Sequence, residues 1–77
     1  MNTLVISKQE TIKHQLSDII LDISWAKISK KYFGKSSSWI YNKLDGSEFT
    51  YSEKMQLKNA LSDLSERIRK AADSIEI

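Results

Sequence analysis

Apolar residues recur along this chain at helical spacing, in four separate blocks. The first, Ile12, Leu16, Ile19, Ile20 and Ile23, forms an i, i+4, i+7, i+8, i+11 stripe, with Lys13, Gln15, Asp18 and Asp22 mainly opposite. This spacing predicts a helix over 7–23, opened by the capping box Ser7-Lys8-Gln9-Glu10 with Ile6 as the staple residue. Trp25, Ile28 and Tyr32 follow at i, i+3 and i+7 and predict a second helix over 25–33, with Ser24 as its N-cap. Gly34 can take the left-handed backbone that ends it. Ile40 and Leu44 define the inward face of a third helix over 37–45, capped by Ser36 or Ser37 and stopped at Asp45-Gly46. Residues 47–49 read as a connector.

A second capping box, Thr50-Tyr51-Ser52-Glu53, opens the longest helix, over 51–75. Its apolar positions Leu57, Leu61, Leu64, Ile68, Ala71 or Ala72, and Ile75 make a heptad-like seam. Two partners can satisfy that seam: the 12–23 stripe of the same chain, or the same helix of a second chain. Because the helix outruns a three-turn packing element, Leu57, Leu61, Leu64, Ile68 and Ile75 are the expected contacts of a homodimer.

Composition narrows the class. Seventy-seven residues make one domain, 1–77, with a core that is marginal unless its helices pack well or chains associate. With no cysteine there is neither a disulfide framework nor a thiolate metal site. With no proline and two glycines, little interrupts helices except Gly34 and Gly46. The expected fold is all-α: four helices, the middle pair a helix-turn-helix, the last one long. No apolar run reaches bilayer length, and no basic flank precedes an apolar segment as in a secretory signal, so a cytoplasmic protein is expected.

Charge is uneven along the chain. Residues 25–47 hold five lysines against one aspartate, a net +4, while the stretches on either side are each slightly acidic. Lys27, Lys30, Lys31, Lys35 and Lys43 thus sit on the two central helices, where phosphate binding needs them. The competing reading is a set of lysines that only solvates short helices. The first turn of the third helix can meet a phosphate through Ser36 and its amides. Ser37, Ser38, Tyr41 and Asn42 are expected to face a DNA groove, with Asn42 suited to adenine. An ordinary solvated face remains the alternative for these positions. Trp25 reads as core rather than as a base-stacking platform, and Trp39 as a boundary residue.

Candidate chemistry adds nothing catalytic. His14 is the sole histidine and, with Asp18 four residues on, makes a helical surface pair rather than an acid–base couple. Asp18 and Asp22 alone are too few to hold a cation. Serines 36–38 lack a base. No catalytic set, metal, cofactor or small-molecule substrate is therefore expected.

Lys43-Leu44-Asp45-Gly46, Phe49-Thr50, Glu53, Leu57 and Leu61 resemble phage-repressor-type helix-turn-helix proteins, whose pattern runs K-L-x-G, F-T, then E and spaced leucines. Tyr32 to Ser36, Ser38-Trp39, Leu44, Gly46 and Asn59-Ala60-Leu61 resemble a family of short bacterial proteins catalogued as a domain of unknown function. The resemblance implies a repressor-like DNA-binding fold and brings no established activity. One departure carries a structural expectation. Repressor-type units place a small residue four positions before the turn glycine, but that position is Lys30 here and the small residue is Ser29, so the first helix or the turn holds an extra residue. The reading is a DNA-binding regulator of phage or mobile-element type, a dimer on double-stranded DNA. The alternative is a helical protein–protein module that binds no DNA.

Overall fold

The computed structural model describes residues 11–46 and 48–77. They form an all-α fold: α1 (Ile12–Gln15), α2 (Trp25–Ile28) running on into a π-helical turn (Ser29–Phe33), α3 (Ser37–Asp45) and α4 (Tyr51–Ser74). Among the described residues, no helix is long and apolar enough to cross a membrane.

The first segment departs most from its sequence pattern. The capping box at 7–10 lies outside the described residues, and the helix starts from Thr11, whose Oγ1 accepts from the His14 amide at 3.1 Å. Helix stops at Gln15, and residues 16–22 continue as tight turns: Ser17 to His14, Ile19 to Leu16 and Asp22 to Ile19 are all i→i−3 bonds. Trp25 Nε1 donates to the Ile20 carbonyl at 2.7 Å, which ties this turn segment to α2. Ser17, Asp18 and Asp22, with the β-branched Ile19 and Ile20 among them, favour turns over helix interior. The stripe still works in part, since Ile12, Leu16, Ile20 and Ile23 pack on the core while Leu21 points out, 94% exposed.

Trp25 and Ile28 of α2 are buried, and Ser24 takes the N-cap backbone position without a side-chain cap bond. The π turn then accommodates one more residue than an α-turn and brings Ser29, not Lys30, to the inside. Ser29 is fully buried and its Oγ donates to the Ser36 carbonyl at 2.6 Å. Gly34 closes the turn at φ 64°, and the Lys35 amide reaches back to the Ser29 carbonyl. The extra residue that the displaced serine implied is this π turn.

Ser36 caps α3 by accepting from the Trp39 amide, and Ile40 and Leu44 go into the core. Phe49, within the expected connector, is a core residue. Thr50 and Glu53 form the reciprocal capping box, at 2.9 and 3.1 Å. Along α4, Leu57 and Ala60 are buried and Leu61 and Leu64 half-buried. The helix packs chiefly on the π turn, while α1 packs on α3. The expected seam therefore divides: Leu57, Leu61 and Leu64 pack within the chain, whereas Ile68 and Ile75 are 59% and 71% exposed.

Candidate nucleic-acid interface

The core fixes how α3 is presented. With Ile40 and Leu44 inward, Ser38, Tyr41 and Asn42 are exposed and Ser37 is half-buried. Ser36 Oγ holds the Trp39 amide and lies 3.3 Å from Ser38 Oγ, so the first turn of α3 is a cluster of hydroxyls around helix amides. Tyr41 and Asn42 also edge a cleft of about 400 Å³ shared with Lys13, Leu21 and Asp45. Lys13 Nζ pairs with Asp45 at 3.3 Å across it.

Trp39 anchors α3 in a small aromatic cluster. Trp39 lies between Phe33, 5.0 Å away with the rings at 45°, and Phe49, edge-on at 6.5 Å. Lys35 and Lys43 each place Nζ within 6 Å of its ring centroid. Trp39 is half-buried, which matches the boundary position expected of it. Sequence spacing does not reveal Phe49 as its partner. The available signal is that Phe49 immediately precedes the N-cap Thr50, where an apolar residue commonly packs inward.

The five lysines do not form one surface. Lys43, expected at a phosphate, is instead committed to the fold: it pairs with Glu53 at 2.9 Å, donates to the Glu48 carbonyl at 3.0 Å, and is only 19% exposed. The Thr50 amide, and after it Lys43, hold the Glu53 carboxyl below the usual carboxylate range. Lys35 stays exposed beside the α3 N-terminus. Lys27, Lys30 and Lys31 open elsewhere. They rim a second cleft of about 440 Å³, between α2 and α4, floored by Ile23, Ile28 and Leu64 and edged by Arg67.

One wall of that cleft is tied to α4 by polar contacts the sequence did not signal. The Tyr32 hydroxyl bonds to the Asp63 carboxylate and accepts from Arg67 at 3.2 Å, and Arg67 pairs with Asp63 at 3.9 Å. The Asp63 hydrogen bond is the main reason the Tyr32 phenol is pushed above its ordinary value. Gln56 Nε2 reaches the Tyr32 carbonyl at 3.4 Å, and Lys31 Nζ lies 5.5 Å from the Tyr32 ring centroid. These contacts fasten the π turn onto the long helix.

No curated protein and no solved structure matches the chain. A family model described as a domain of unknown function (DUF5053) matches residues 12–75, most of the chain, and the chain belongs to that family.

Proposed function

We propose that this protein is a small cytoplasmic DNA-binding regulator of phage-repressor type, which lays α3 of a helix-turn-helix into the major groove of duplex DNA. The observation that carries the reading is the presentation of α3: two residues inward, Ser38, Tyr41 and Asn42 outward, and Lys35 with Ser36 at its N-terminal end. Helix amides and Lys35 supply phosphate contacts, and Asn42 has the donor–acceptor pair that reads adenine. Lys43 serves by bracing Trp39 under the helix.

Fluorescence anisotropy of a labelled mixed-sequence duplex tests this, at low and at near-physiological salt. Binding that weakens with a log–log slope of about −0.9 per phosphate contacted is expected, and Lys35→Ala reduces that slope by about one unit. Absence of binding at low salt overturns the proposal. The second reading, a protein–protein module, is favoured by one feature: the far half of α4, from Ser65 on, is exposed throughout.

A further inference from the structure

The long helix ends with unmatched charge. Its last turn has no basic residue, although the carbonyl end of a helix is partially negative and is stabilised by cations. Asp73 lies in that turn and Glu76 just beyond it, and neither makes an ion pair among the described residues. Beside them Ile75 is exposed, as is Ile77. The opposite imbalance occupies the cleft between α2 and α4. Lys27, Lys30 and Lys31 rim it without an acidic partner among the described residues, above apolar Ile28 and Leu64.

One chain cannot join these two surfaces. Leu64 and Ile75 are separated by about 16 Å of helix rise, and α4 does not turn back. We infer that the occupant of the cleft is a second copy of the chain. The far halves of two long helices pair antiparallel about a two-fold axis between Ile68 and Ala71, and each acidic end enters the other copy's lysine-rimmed cleft. In this register Leu64 meets the second copy's Ile75, and Ile68 meets its Ala71. The apolar seam Leu61, Leu64, Ile68, Ala71, Ile75 alternates steps of three and four, as helix pairing requires. Ala71, near the axis, lets the backbones approach. The interface is isologous, so every charge contact is made twice. A parallel pair would set acidic end against acidic end and leave both lysine rims unmatched. The pairing does not depend on DNA binding, because it leaves the Ser38, Tyr41 and Asn42 face of α3 uncovered.

Reciprocal charge exchange followed by sedimentation equilibrium at tens of micromolar tests the arrangement. The parent is expected at the mass of two 8.9 kDa chains. Lys27→Glu/Lys31→Glu and Asp73→Lys/Glu76→Lys each fall to one chain. An equimolar mixture of the two returns to two chains, since each variant's ends then match the other's clefts. A parent of one chain, a variant that still pairs, or a mixture of helical variants that stays at one chain overturns the inference. Orientation has its own readout, independent of those charges. The chain has no cysteine, so Ser65→Cys and Ala72→Cys preparations, mixed and oxidised, should cross-link 65 to 72 rather than each to itself. Predominant self-linkage also overturns it.

Discussion

The near and far ends of α4 share one helix, one apolar periodicity and similar numbers of charges, yet their surroundings differ completely. In the near half, Leu57 and Ala60 are buried, Glu53 closes the capping box, and Gln56 reaches the π turn. Asp63 and Arg67 grip Tyr32 where the two halves meet. From Ser65 onward every residue is exposed, and the residue there that bonds another element is Arg67, at Tyr32. The difference is imposed by the π turn, which is the one element α4 principally packs against. The far half stays helical by propagation from the capped near end, through residues of good intrinsic propensity such as Ala71, Ala72, Arg67 and Lys70. Periodicity states what a helix can bury. Its neighbours decide what it does bury.

The largest expected effect breaks the comparison at equivalent seam positions. Leu57→Ala removes a buried side chain from a small core and should cost about 2–5 kcal/mol, whereas Ile68→Ala should stay within about 0.5 kcal/mol. Urea unfolding followed by circular dichroism measures both, at protein concentrations low enough for single chains. Comparable losses at the two positions would mean that the far half is covered within the chain after all.

Serine gives the same contrast on a smaller scale. Ser29 is buried and donates to the Ser36 carbonyl, so Ser29→Ala removes that hydrogen bond from the base of the π turn and should cost about 0.5–1.5 kcal/mol. Ser65 lies in the exposed half, where alanine is the better helix former, so Ser65→Ala should be neutral or slightly stabilising. A harmless Ser29→Ala would show that the π turn is held by packing alone.

The capping box comes next. Thr50→Ala should cost about 1 kcal/mol. Glu53 adds a pH dependence of definite sign. Its carboxyl sits below the usual range in the folded chain, so its contribution is present above the unfolded carboxylate pKa and is lost as pH falls through the folded value. Glu53→Gln should flatten that part of the acid limb of a stability–pH curve. A curve of unchanged shape would assign the limb to other carboxylates.

These contrasts also mark what the sequence could and could not disclose. The bounds of α3 and the start of α4 are legible because local chemistry sets them: Ser36, Gly34, Thr50 and Glu53 act within a few residues of where they stand. The displaced small residue at Ser29 likewise announced an irregular turn. The 12–23 stripe misled because residues 16–22 run as i→i−3 turns tied to α2 by tertiary contacts such as Trp25 Nε1 to the Ile20 carbonyl, which periodicity does not encode. The candidate interface was only partly legible for the same reason. Five lysines clustered in sequence, but the approach of α4 put Lys27, Lys30 and Lys31 on a separate cleft, and the Thr50–Glu53 cap drew Lys43 inward.

The smallest effect is spectroscopic and concerns the hinge between the two halves of α4. Tyr32 is one of three tyrosines, and Tyr41 and Tyr51 are both well exposed. Ionising Tyr32 places a phenolate against the Asp63 carboxylate, so its proton is held above the ordinary value of 10.0 despite the opposing pull of Arg67. A rapid ultraviolet titration of the folded chain should therefore show a phenol that ionises above the ordinary tyrosine value. Asp63→Asn keeps a hydrogen-bond acceptor for Tyr32 but removes the charge, and should bring this phenol back toward the ordinary value. The sign for stability follows. A raised phenol stabilises the folded chain below the unfolded tyrosine pKa, and that contribution disappears as pH rises through the folded value. Ile68 has no part in this contact, so Ile68→Ala should leave the titration unchanged. If Ile68→Ala moves it, the two halves are coupled through Arg67, and the boundary between them belongs further along the helix.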